Sequence, residues 1–233
     1  MRVTGLEATV GRMVRVRGVL FDFGNTLFAH APLAETVALA ARRLGAEVST
    51  SWATDFAATV DSAAHTEDEL RHPRDLDAAV WYERWHLLYA CADGEIPGLG
   101  AAVYDGMHDP WSWTPFVDSI ETLVRLHHVG VPMVIVSNTG WDIRTVFAAY
   151  GLTSLVDRFV LSYEVGAVKP SPTIFRAACA AIDLSPSQVL MVGDDTRADG
   201  GATRSGVRTL LVPTMRPGAD NGIAAAADLV VGI

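Results

Sequence analysis

The 233-residue sequence predicts an α/β protein, a parallel β-sheet covered by helices on both faces, with an all-helical segment inserted after the first strand. Three observations predict it. Short β-branched, apolar runs alternate with runs of helical periodicity through the second half of the chain. Several of those apolar runs stop abruptly at a carboxylate, hydroxyl or amide. Between Pro32 and about Asp109 the helical pattern continues with no convincing strand.

The first strand is expected from Val14 to Phe21, a buried run followed by turn residues. PLAETVALAARRLGAE, SWATDFAATVDSAAH and DLDAAVWYERWHLLYACADG then carry apolar residues at helical spacing, as does TPFVDSIETLVRLHHVG. Alternation resumes with PMVIVS as a strand, WDIRTVFAAYG as a helix, RFVLS as a strand and SPTIFRAACAAI as a helix. VLMVG is a strand, DGGATRSG a short helix, TLLV a strand, GIAAAAD a surface helix and DLVVG a last strand. Residues 1–30 and 112–233 therefore form the expected α/β core, and 31–111 the helical insertion.

The net charge of −9 argues against nucleic acid or an anionic membrane surface as a partner. It leaves room for a small phosphorylated metabolite, for which one local positive site suffices. The arginine-bearing N-terminus has no apolar segment of a signal peptide, and no run approaches the ~18 residues of a membrane span. Cys91 and Cys179 are isolated, which suits packing cysteines in a reduced, cytoplasmic chain. Nothing in the sequence fixes the oligomeric state. Lys169 is the single lysine among 18 basic residues.

In an open parallel sheet, ligands bind beyond the carboxyl ends of the strands. After the first strand stand Asp22, Gly24, Asn25 and Thr26. After VIV come Ser137, Asn138 and Thr139, and after VLMVG come Asp194, Asp195 and then Asp199; Lys169 lies on the loop EVGAVKP. Singly, each could cap a helix or make a turn. Together they suggest phosphate chemistry. Asp22 and Asp194 offer hard oxygens to Mg²⁺, while Ser137 and the neighbouring amides can hold phosphate oxygens. Lys169, steadied by Asp199, can neutralise developing charge. An aspartate can serve as nucleophile through an acyl phosphate.

This set resembles the haloacid dehalogenase superfamily. The run DFGNT (Asp22 to Thr26) resembles its first motif, Ser137 in VIVSNTG its second, Lys169-Pro170 its third, and Gly193-Asp194 through Asp199 its fourth. The insertion falls where the type 1 cap of subfamily IA belongs. The resemblance implies a three-layer Rossmann-like core and a Mg²⁺-dependent phosphatase. It implies Asp22 as nucleophile, and Asp22, the Gly24 carbonyl and Asp194 as metal ligands. Thr26, Ser137, Asn138 and Lys169 would bind substrate, with Asp195 and Asp199 supporting.

Gly24 departs from the family pattern, whose second aspartate protonates the leaving oxygen and later activates water. Two substitutes follow: a leaving group of low pKa, such as a sugar 1-phosphate or an acyl phosphate, or proton donation by His30. The same departure keeps open a non-catalytic phosphate-binding or regulatory role. Family dehalogenases carry a tyrosine in place of Gly24 and no acids in place of Asp194 and Asp195, which disfavours halide displacement. In the insertion, the stripe of Trp81, Tyr82, Trp85 and Leu88 reads as core packing, with Arg84 and His86 beside it. Trp111 and Trp113 read as packing at the domain junction.

Overall fold

The computed structural model describes residues 15–231. Five parallel strands form the main sheet in the order β5-β4-β1-β6-β7. They are β1 (Gly18–Phe21), β4 (Met133–Ser137), β5 (Arg158–Leu161), β6 (Val189–Gly193) and β7 (Arg208–Leu211). The central strand is paired on both sides, with Phe21 opposite Ile135 of β4 and Val192 of β6. Burial on both faces explains why these runs are continuously apolar rather than alternating. β1 begins at Gly18; Val14, the expected start, lies outside the described residues.

Side chains along β1 alternate between two cores. Val19 and Phe21 pack with Leu123, Ile135 and Phe147 on one face, beneath α6 (Ser119–His128), α7 (Arg144–Ala149) and α10 (Ala225–Val231). Leu20 packs on the other with Val134, Phe175 and Met191, beneath α9 (Pro172–Ala181). Ser171 caps α9 by accepting from the Thr173 amide, and Pro172 occupies the first turn, where its missing N–H costs nothing.

Two elements differ from expectation at the C-terminal end. Asp228 to Val231 of the run DLVVG are not a strand but the end of α10, its Gly232 lying outside the described residues, and the alanine-rich segment is not merely superficial. Ala226, Ala227 and Val230 are buried at helical spacing while Leu229 is exposed. Small side chains let this helix lie close to the sheet, so burial follows a 3.6-residue period rather than a 2-residue one.

The inserted segment carries α1 (Leu33–Arg43), α2 (Thr50–Ala64), α3 (Glu67–Leu70), α4 (Ala78–Tyr89) and α5 (Leu99–His108). These helices bury their own cluster, centred on Val37, Phe56, Val60, Tyr89, Leu99 and Val103. A two-stranded antiparallel ribbon flanks it, β2 (Phe28–His30) with β3 (Trp113–Pro115), in the register His30 to Trp113. Three residues per strand are too few for a periodic signal, so sequence reading finds no strand there. Cys179 is buried as expected, whereas Cys91 is exposed; both are free thiols. Among the described residues no helix is long and apolar enough to cross a membrane.

Candidate active site

β1 is the switch point of the sheet: the chain leaves it toward β4 on one side and reaches β6 on the other. The carboxyl ends of these three strands open into a common crevice. Asp22 follows β1 directly, its amide donating to the Val192 carbonyl at 2.9 Å. Its Oδ1 receives the Lys169 ammonium at 2.6 Å, and the same ammonium reaches Asp199 Oδ1 at 2.7 Å. Lys169 and Asp199 are buried, with relative exposures of 5% and 0%.

Asn138 holds this lysine through the backbone. Its Oδ1 accepts from the Lys169 amide at 2.7 Å and its Nδ2 donates to the Lys169 carbonyl at 3.0 Å. Asn138 also lines the cavity, and its side chain positions Lys169. Thr26, expected to contact substrate, is instead a support. It is fully buried and donates to Asp194 Oδ1 at 3.3 Å, orienting that carboxylate from below. Thr214, which sequence reading missed, donates to Asp194 Oδ2 at 2.9 Å. Its position just past β7 at the rim was the available signal.

Asp199 Oδ2 accepts from the Asp195 amide at 3.0 Å, so both of its oxygens are engaged. Asp195 Oδ1 in turn accepts from the amides of Arg197 and Ala198, each at 2.7 Å. Gly193 makes room for this loop, because a Cβ there would fall 2.2 Å from the Asp199 carboxylate.

The electrostatics follow from burial. Desolvation pushes the Asp22 carboxyl up to about 7; Lys169 pulls it down and Asp199 adds to the rise. Burial alone would lower Lys169, but the two carboxylates outweigh it and hold the ammonium protonated. Desolvation likewise raises Asp194, against the hydrogen bonds from Thr214 and Thr26. One oxygen from each of Asp22, Asp194 and Asp199 lies within 4.8 Å of the others. Lys169 pairs with Asp22 and Asp199 while Asp194 has only hydroxyl partners, so the cluster carries more carboxylates than cations. Asp199 is fully buried and does not line the cavity, so Asp22 and Asp194, which do, are the carboxylates that fit a hard divalent cation.

Above this floor lies a cavity of about 380 Å³, lined by Asp22, Gly24, Ser137, Lys169, Asp194 and Asp195 at its base. Its walls are aromatic. Trp81 and Trp85 of α4 line it, together with Trp113 and Trp141, while Trp85 and Leu88 also pack against the core of the inserted helices and Tyr82 is exposed, so the α4 stripe is partly cavity wall and partly core packing. The amphipathic reading of α4 could not separate these, since a ligand cavity and a core both demand an apolar face. Arg84 pairs with the buried Glu69, to which Arg74 also lies 3.5 Å away. Arg74 additionally stacks over Trp85 at 5.0 Å. Trp111 is largely exposed, touching Tyr150, whereas Trp113 packs on Phe23 with centroids 4.5 Å apart.

His30 does not line the cavity. Cross-strand pairing sets its ring edge-on to Trp113 at 4.8 Å, and burial lowers its pKa. The histidine that does line the cavity is His108, at the end of α5. Its Nε2 accepts from the Trp81 indole at 2.9 Å and its Nδ1 faces the Tyr104 carbonyl at 2.7 Å, which fixes a neutral ring with both nitrogens committed.

A model of the haloacid dehalogenase-like hydrolases matches residues 16–205. The chain belongs to this hydrolase family. Ribulose-1,5-bisphosphate 5-phosphatase of Halopiger xanaduensis is 29% identical over 204 residues, covering 83% of each chain. Glyceraldehyde 3-phosphate phosphatase of Methanopyrus kandleri is 28% identical over 217 residues, covering 84% of each. Among solved folds, the HAD-hydrolase YfnB of Bacillus subtilis bound to magnesium superposes with a TM-score of 0.67 at 16% identity, covering 93% of this chain and 99% of that one. The parallel sheet with its helical insertion is therefore the family fold, and the acid–lysine cluster lies at the carboxyl ends of its strands.

Proposed function

We propose that this hydrolase releases inorganic phosphate from a small phosphorylated metabolite, through an aspartyl phosphate on Asp22. One observation carries the reading: a lysine buried between Asp22 and Asp199, beside Asp194, at the base of a cavity. The phosphatase names of both long-matching relatives support it. Mg²⁺ fits the donor set of Asp22, the Gly24 carbonyl and Asp194, where it would supply positive charge for the phosphate oxygens.

The protein groups divide the work as follows. Lys169 fixes Asp22 Oδ1, leaving Oδ2 to attack phosphorus. The P–O ester bond breaks with its electron pair on the leaving oxygen. A water oxygen then attacks phosphorus, the bond to Asp22 breaks, and its proton passes to solvent. Lys169 and Ser137 surround the transferring group, and positioning and charge supply most of the acceleration. Thr26 and Thr214 hold Asp194 in place from two sides. The acid pair Asp194 and Asp195 disfavours halide displacement, which uses no cation.

Gly24 favours one second reading, a phosphate-binding protein without turnover, because no side chain there can move a proton. Phosphate release from a panel of monoesters, with Mg²⁺ or with EDTA, separates the two. The phosphatase predicts Mg²⁺-dependent release that disappears in Asp22→Asn. Binding of phosphate esters without any release from a folded protein selects the second reading.

A further inference from the structure

We infer that the preferred substrate is an aryl phosphate: the monoester of a flat, uncharged aromatic alcohol, carrying a single phosphate. This rests on the phosphatase reading and names the substrate class of the same site. Three observations converge on it.

The first is the wall. Phe23, Trp81, Trp85, Tyr89, Trp113 and Trp141 all line the cavity. They form two ring clusters, one stacked pair and the rest tilted, joined through His108. Trp85 lies 5.6 Å from Trp81 and 5.5 Å from Tyr89, while Trp113 lies 4.5 Å from Phe23 and 6.1 Å from Trp141, centroid to centroid. A ring lying against this wall meets π-faces and edges, and offset or edge-on packing is what aromatic pairs prefer.

The second is charge. Among the described residues lining the cavity, Lys169 is the one cation, and Asp22 and Asp199 already engage it at the base. A second phosphate or a carboxylate on the far end of a substrate would be buried without a partner, which is costly. On the aromatic wall, the indole N–H of Trp81 is spent on His108 and that of Trp113 on the Met107 carbonyl, at 2.9 and 3.3 Å, which leaves the unpartnered N–H of Trp85 as one donor for a polar group on the ring. At about 380 Å³ the cavity sits at the small end of ligand pockets, fitting a ring rather than an extended bisphosphate.

The third is the missing acid. Gly24 offers no proton, His108 has both nitrogens committed, and His30 lies outside the cavity. A phenol, with a pKa near ~10 as in tyrosine, departs as its anion far more readily than an alkyl alcohol. The P–O bond breaks with both electrons on the aryl oxygen, and the phenolate takes its proton from solvent after leaving. The shape of the cavity and its lack of an acid thus select the same leaving group.

The test compares kcat/KM of the unmodified protein with Mg²⁺ on phenyl phosphate, substituted phenyl phosphates, glycerol 1-phosphate, ribose 5-phosphate and ribulose 1,5-bisphosphate. Binding of phenyl phosphate and ribose 5-phosphate to Asp22→Asn is followed by tryptophan fluorescence. We expect the aryl esters to lead by ~10²-fold or more, the low end of what a general acid supplies, with rate falling as the phenol pKa rises. Trp85→Leu should raise KM for the aryl esters by ~3- to 10-fold while sparing kcat, the loss expected for one aromatic pair. A preference for ribose 5-phosphate or the bisphosphate overturns the inference and leaves the phosphatase reading standing. Binding of phenyl phosphate alone, with no release of any ester, supports the ligand class and overturns the phosphatase reading. Equal quenching by both ligands without release overturns both.

Discussion

Restoring an acid at Gly24 is the sharpest test of how this site works. A carbon added there meets only Trp113, at 3.8 Å, an ordinary van der Waals distance. Gly24 is not among the residues with a left-handed backbone, so aspartate builds there without strain. Replacing glycine at a compatible position stabilises by ~0.4–1 kcal/mol through the unfolded state, so the variant should fold. Its carboxyl would share the cavity base with Asp22, Asp194 and Asp195. Like charges there favour the protonated form, which is the form an acid needs. General acid catalysis supplies ~10²–10⁴-fold, or ~2.7–5.4 kcal/mol of barrier at 1.36 kcal/mol per decade. That gain applies only where the leaving oxygen needs a proton. Gly24→Asp should therefore raise kcat/KM on glycerol 1-phosphate by up to that factor and leave 4-nitrophenyl phosphate nearly unchanged. The assay is the ratio of the two rates, with a thermal melt as the folding control. A variant that melts like the parent and still cleaves the nitrophenyl ester, yet keeps the parental ratio, would refute the assignment of Gly24 as the missing acid.

Other consequences can be measured independently. Lys169→Met leaves the buried Asp22 and Asp199 carboxylates uncompensated, which costs ~3–5 kcal/mol and lowers Tm by ~6–20 °C at ~2–4 °C per kcal/mol; calorimetry showing an unchanged Tm would contradict the buried ion-pair geometry. Gly140→Ala sets a methyl 2.4 Å from Trp81 Cβ and 2.7 Å from the Arg74 carbonyl, so α4 must move off the core loop. Overpacking of this kind costs ~1–3 kcal/mol, expected as a rise in KM and a change in tryptophan emission, and identical emission and KM would show that the contact is not maintained. Burial lowers both His30 and His108 from 6.5, so the unfolded chain takes up protons first as pH falls. Their contribution is complete above about 6.5 and is lost below it, toward the depressed folded values. Tm should accordingly decline below pH ~6.5 more steeply in the parent than in His30→Asn, and parallel curves would remove His30 as a cause.

By itself the sequence determined the five strands of the main sheet, the run of helices after the first of them and the polar residues that stand at the carboxyl ends of those strands. Those features are written locally. A strand buried on both faces must be continuously apolar, and a carboxylate directly after it must stand at the sheet's carboxyl edge. Asp22 and Asp194 were legible for that reason. Local patterns also misled where two environments ask for the same residues. DLVVG suits a strand as well as the buried side of α10, and the apolar stripe of α4 suits a core as well as a cavity wall. Only the tertiary structure decided these, because the deciding neighbour is distant in sequence: the sheet for α10, and the crevice beyond β1, β4 and β6 for α4. It also turned Thr26 from an expected ligand contact into a support for Asp194, and made Asn138 a support for Lys169. A hydrogen bond spanning 168 residues, such as that from Thr26 to Asp194, leaves no periodic trace. The aromatic wall is of the same kind: Trp85, Trp113 and Trp141 come from three separate segments, and only folding makes them one surface.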